Sequence, residues 1–132
     1  MTGEVDKVTK ALQDVAGRLV RKISLDVVAN LTAAAAEGGT PIDTGWASAN
    51  WIPSIGKDRT ATADGRDVAA ANAEMEAGKA ALFGYKLGMG TVFISNNVPY
   101  VPTLNAGSSP QASAHFVERG IDKALTVDLK GI

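Results

Sequence analysis

Residues 3–36 read GEVDKVTKALQDVAGRLVRKISLDVVANLTAAAA. Val5, Val8, Leu12, Val15, Leu19, Ile23, Val27 and Leu31 recur at steps of three or four, the stripe of an amphipathic helix. Lys7, Lys10, Asp14, Arg18, Lys22 and Asp26 fill the other side, with Asp14–Arg18 and Lys22–Asp26 at the supportive i,i+4 spacing. Gly38-Gly39, followed by Pro41, ends the helix. From Gly3 to Ala36 it would be roughly 50 Å long at 1.5 Å per residue. A compact chain of 132 residues is only about 28 Å across. The spacing therefore predicts a helix that projects from its domain and buries its stripe on a neighbouring subunit.

After this helix, Thr40-Pro41-Ile42-Asp43-Thr44-Gly45 reads as a turn. Trp46 to Ile55 follows in a β-prone setting, and Pro53 restricts it to an edge or bulged strand. Residues 56–65 (GKDRTATADG) have no apolar anchor and are expected to form a flexible loop. Asp64 is placed to cap a second helix from about Arg66 to Phe83. Val68, Met75 and Leu82 face inward there. Ala71 and Gly78 share that face, so its partner must approach closely, and Gly84 is the terminator. Thr91 to Ser95 is the clearest strand. Asn96-Asn97 signals a turn, and Pro99, Pro102 and Gly107 keep residues 98–110 irregular or briefly helical. Ser113 is placed to cap a last helix with Val117, Ile121, Ala124 and Leu125 on one face. The whole predicts a single α+β domain over 1–132: a long helix within 1–37, a small sheet with edge or bulged strands, and two further helices.

Composition narrows the function. A net charge of −1 and a pI near 5.7 argue against gripping nucleic acid through its phosphates, which needs Lys and Arg gathered on one face. With no cysteine, disulfide scaffolds, thiolate zinc sites and cysteine nucleophiles are excluded. The N-terminus lacks the apolar run of a signal peptide, and no stretch approaches the roughly 18 apolar residues of a membrane span. Asn30-Leu31-Thr32 fits a glycosylation sequon, but it lies in the helical pattern and is discarded.

No catalytic constellation emerges. His115 is the single histidine, set on the first turn of the last helix, and no G-x-S-x-G elbow marks a nucleophile. Gly56-Lys57 and Gly78-Lys79 are followed by Asp58 and Ala80, where a P-loop needs Ser or Thr. Gly84-x-x-x-Gly88-x-Gly90 precedes a strand, whereas a dinucleotide fingerprint follows one. Asp58, Asp64 and Asp67 do not match a calcium loop, and Glu74 and Glu76 diverge on a helix as solvated side chains. Trp46 and Trp51 lack the interleaved basic residues of a base-stacking surface, so both are read as core or interface anchors. No enzyme, cofactor or metal is expected.

Two segments resemble a known family when taken together. Asp43-Thr44-Gly45-Trp46-Ala47-Ser48-Ala49-Asn50-Trp51 resembles the DTG segment of the tailed-bacteriophage neck and tail-completion (head–tail joining) proteins of lambdoid siphophage type. Ile94-Ser95-Asn96-Asn97-Val98-Pro99-Tyr100 is similar to that family's ISNNxPY signature. It continues through Leu104, Asn105, Gly107, Ser108, Ser109, Gln111 and Ala112 into a helix carrying Phe116-Val117. The order of elements is also the family's, so the resemblance covers nearly the whole chain. One departure stands out: where relatives read Ala-Pro-Ala-Gly-Phe, this chain has Ala112-Ser113-Ala114-His115-Phe116, so the last helix is capped differently.

The resemblance implies a virion structural protein without enzymatic activity, forming a homo-oligomeric ring, commonly of six, at the head–tail junction. Its implied partners are the connector or stopper, the tail terminator or the tail tube, with DNA only as cargo in the lumen and no membrane. Assembly would take place in the bacterial host cytoplasm. Interface or structural roles fall on Asp43, Thr44, Gly45, Trp46, Trp51, Ser95, Asn96, Asn97, Pro99, Tyr100, Leu104, Asn105, Gly107 and Phe116. The alternatives are a tail terminator ring, and a cytoplasmic adaptor or DNA-contacting accessory module.

Overall fold

The computed structural model describes residues 2–42, 45–61 and 67–126. The chain is α+β. Helix α1 spans Thr2–Thr32, strand β1 Ile52–Ile55, helix α2 Val68–Phe83 and strand β2 Val92–Ser95. The short helix α3 spans Val101–Asn105, and α4 spans Phe116–Leu125. The two strands pair antiparallel, with Ile52 opposite Ser95 and Ile55 opposite Val92. Pro53 is tolerated because a two-stranded sheet consists only of edges.

Helix α1 stops sooner than its pattern suggests. A 3-10 turn at Ala35–Glu37 follows, and Gly38 takes the left-handed conformation at φ 96°. Thr40 closes the end: its N–H and its hydroxyl both donate to the Leu31 carbonyl, at 3.0 and 2.6 Å. Of the two i,i+4 pairs, Lys22–Asp26 forms at 3.0 Å. Asp14 and Arg18 show no such contact.

The stripe divides along the helix. Val27 and Leu31 are buried, and Val28, Ser24 and Gly17 join them on the side of the helix that meets the domain. By contrast Val5, Val8, Leu12 and Val15 are 65, 60, 66 and 44% exposed. Counted at about 100° per residue, those four point roughly 140° away from the face that meets the domain. The first half of the stripe is turned outward while the helix still touches its own domain: a Cβ on Gly17 would stand 3.3 Å from the Leu87 amide nitrogen.

Trp46 to Ile55 is not one strand. Trp46 and Ala47 lie in a turn, Ser48–Asn50 form a 3-10 turn, and only Ile52–Ile55 are extended. Asn50 favours the bend, its Nδ2 donating to the Trp46 carbonyl at 2.8 Å. In α2, Ala71, Met75 and Leu82 are buried as the spacing predicts, and Gly84 is the C-cap. Asp64 lies outside the described residues; the observed cap is Asp67, whose side chain accepts from the Ala70 amide at 3.0 Å. Arg21 of α1 donates to the carbonyls of Phe83, the last residue of α2, and of Tyr85 just beyond it, where a cation complements the helix dipole.

The last helix differs from expectation in two respects. Its N-cap is His115, not Ser113, with φ 68°. Its buried face is Phe116, Gly120 and Ala124, while Ile121 and Leu125 are exposed. The cause is the close crossing of α1 and α4. A Cβ on Gly120 would stand 2.9 Å from a Leu31 methyl, and the Asn30 amide donates to the Gly120 carbonyl at 3.0 Å. The core gathers Val28, Leu31, Trp51, Met75, Val98 and Phe116 around this crossing.

Candidate functional site

The turn after β2 is built from asparagines used as clasps. Asn96 Nδ2 donates to the Ala47 carbonyl at 2.8 Å, and its Oδ1 accepts from the Val98 amide at 3.1 Å. One side chain thus shapes its own turn and ties it to the Trp46–Ala47 turn. Asn97 Nδ2 donates to the carbonyls of Arg59 at 2.7 Å and Ala61 at 3.3 Å. Arg59 in turn pairs with Glu74 of α2 at 2.5 Å. Residues 57–61, expected as the start of a flexible loop, are therefore held by polar contacts; residues 62–65 lie outside the described ones. Glu74 and Glu76, read as simply solvated, are partnered by Arg59 and Lys79.

Farther along, Pro99 is exposed and Val101 opens α3 with Pro102 beside it, where a missing N–H costs nothing. Asn105 ties α3 to α4: its Oδ1 accepts from the Val117 amide at 2.9 Å, and its Nδ2 donates to Glu118 at 2.8 Å. Its backbone carbonyl also accepts from the His115 amide at 2.7 Å. Gly107 has φ 99°, and a Cβ there would stand 3.2 Å from that of Ala114. The Gln111 amide accepts from the Ile42 N–H at 2.9 Å and donates to its carbonyl at 2.7 Å, as a strand neighbour would.

The aromatic residues anchor the same region. Trp51 is buried and its indole donates to the Thr40 hydroxyl at 2.8 Å. Trp46 is buried with its ring 6.0 Å from that of Tyr100, tilted at 53°, within the range of favourable aromatic pairs. Tyr100 and Leu104 are half-buried. Beside them lies an open depression of about 330 Å³, lined also by Pro41, Ile42, Ser109 and Gln111. Gly45 has φ 86°, Ser95 pairs with Ile52 and Phe116 is fully buried. Asp43 and Thr44 lie outside the described residues. The structure thus brings Trp46, Asn96 and Tyr100 together around the turn after β2, with Asn105 and Phe116 at the junction of α3 and α4.

Sequence reasoning missed Thr40, Arg59 and Glu118. Glu118 also meets His115 Nδ1 at 3.0 Å; its i+3 position was the available signal. The hydrogen bond from Asn105 holds its carboxyl below the usual carboxylate range, with His115 adding to the effect. Both side chains are exposed, so the pair is not a sequestered acid–base dyad. Among the described residues, no three His, Cys, Asp or Glu gather as a metal site, and no helix is long and apolar enough to cross a membrane.

Large apolar side chains stand open in several places. The outward stripe of α1 is the first such surface. An apolar groove of about 280 Å³ between α1, β2 and α4, lined by Ile23, Val27, Trp51, Ile94, Val117 and Ile121, is the second. The exposed Phe83, Leu87 and Met89, close in sequence around the connector after α2, are the third group. Comparison with protein-family models, with curated proteins and with solved structures finds no match to this chain.

Proposed function

We propose that this chain is a non-enzymatic virion structural protein: a tail-completion or neck subunit that assembles into a ring at a phage head–tail junction. The observation that carries the reading is the presence of three unlike apolar surfaces, open at once on one small domain. Large apolar side chains left open in groups mark contact sites with other molecules. A subunit with neighbours around a ring, and further rings above and below, needs several different contact faces. The residue order described above, from Asp43–Trp51 through Ile94–Gln111 to Phe116, supports the phage assignment.

In this reading the asparagine clasps serve assembly indirectly. They fix the Trp46 turn, the 57–61 segment and the start of α4 relative to one another, giving neighbours a rigid surface. The net charge of −1 suits a lumen through which DNA slides without being held. The ring, commonly of six in the resembled family, would meet the connector or stopper on one side and the tail terminator or tail tube on the other.

Deleting the gene from its phage tests this. Filled heads and complete tails should accumulate unjoined, and supplying the chain in trans should restore joined particles. Normal yields of joined, infectious virions from the deletion would overturn the proposal.

A further inference from the structure

The outward face of α1 changes rhythm at Leu19. Val5, Val8, Leu12, Val15 and Leu19 alternate steps of three and four, whereas Leu19, Ile23, Val27 and Leu31 step by four. The first pattern is the narrow a/d seam of a coiled coil, with Val5, Leu12 and Leu19 at a and Val8 and Val15 at d. The f positions opposite that seam are Lys10, Gly17 and Ser24. Gly17 and Ser24 are buried against the chain's own domain. The domain therefore sits behind the seam and leaves it open to a second helix.

The flanking residues identify that helix. At the g positions stand Glu4, Ala11 and Arg18; at e stand Thr9 and Ala16. The small side chains allow close approach. Glu4 and Arg18 are placed symmetrically, seven residues either side of Ala11. In an antiparallel pair, g positions face g positions. With the two-fold axis near Ala11, each Glu4 then meets Arg18 of the second copy, and the two Ala11 residues face each other. A parallel pair would set g against e, placing Glu4 by Thr9 and Ala11 by Ala16, with no opposite charges matched. We propose that in the free protein the N-terminal half of α1 pairs antiparallel with the same half of a second copy, through the Val5–Val15 seam.

A two-fold contact closes on itself and cannot by itself build a ring. This pairing is therefore distinct from the ring contact, which falls to the other two apolar surfaces. It conceals the seam until assembly, when a neighbouring tier replaces the second copy. Either proposal can fail without the other, since one is read in free solution and the other on virions.

The absence of cysteine makes the test direct. Full-length Ala11→Cys, treated with a short bis-maleimide, should give a covalent dimer. Val5→Cys should not, because antiparallel pairing separates the two copies of that position by roughly 18 Å along the axis. Cross-linking through Val5→Cys, through both variants or through neither overturns the proposal. Sedimentation equilibrium supplies a second readout on exposed residues whose change does not threaten folding. Glu4→Arg and Arg18→Glu should each weaken dimerisation by about three- to tenfold at low salt, and the double swap should restore it. Single variants without effect, or a double variant that fails to recover, would also overturn it.

Discussion

A Cβ placed on Gly78 would stand 2.5 Å from the Pro53 carbonyl oxygen and 2.8 Å from the Pro53 ring. Helix α2 therefore rests directly on the backbone of β1, at a position that admits no side chain. In an open helix, Gly→Ala gains about 1 kcal/mol from propensity. Here overpacking against backbone, which cannot rotate aside, costs about 3 kcal/mol. Gly78→Ala should lose about 2 kcal/mol net in urea unfolding; a stabilised variant would show that the contact is not so close.

Trp51 fills the centre of the core and donates to Thr40, whose hydroxyl continues to the Leu31 carbonyl. Trp51→Ala should cost about 3–5 kcal/mol, and Trp51→Phe about 1 kcal/mol more than its lost packing, for the missing hydrogen bond. Tyr100, only half-buried, should cost about half as much as Trp51 when changed to Ala. Thermal or urea unfolding of the three variants checks the ranking, and a neutral Trp51→Ala would contradict it.

Asn105→Ala removes the acceptor of the Val117 amide and the donor that holds the Glu118 carboxyl low. Because the folded pKa is depressed, the stabilising contribution is present above the ordinary carboxylate pKa. It is lost as pH falls through the lowered folded value. An NMR titration of the Glu118 carboxyl should find its midpoint below the usual range, moving upward in Asn105→Ala; an unmoved midpoint would refute the assigned cause.

His115 holds φ 68°, a left-handed conformation that glycine adopts at no steric cost. Left-handed backbone costs a β-branched residue most, about 1–2 kcal/mol. His115→Val should destabilise by that amount, whereas His115→Gly should be within about 0.5 kcal/mol of the parent chain. Equal effects of the two in denaturant titrations would show that the conformation is not what the site demands.

Much of this fold was legible, and the exceptions share a physical cause. Periodicity found α1 and the inward face of α2, because those patterns depend on spacing alone. Gly78 revealed its close partner for the same reason. The rotation of α4 was hidden: Gly120 is buried because Leu31 and Asn30 come from 90 residues earlier in the chain, and no local pattern records that crossing. The division of the α1 stripe was hidden likewise, since Gly17 and Ser24 are small or polar and carry no hydrophobic signal, yet they mark where the domain attaches. Around Asn96, Asn97 and Asn105, sequence identified an unusual loop, and the structure supplies its role as a set of clasps to distant backbone.

If the chain is the proposed neck subunit, these open surfaces are its contact faces. The most direct measurement is cryo-electron microscopy of purified tailed particles in which this chain carries a small label at its N-terminus. The account predicts several labelled copies in a ring between head and tail, beside the DNA channel. Particles that contain no copy of the chain, or that carry it away from the head–tail junction, would contradict it.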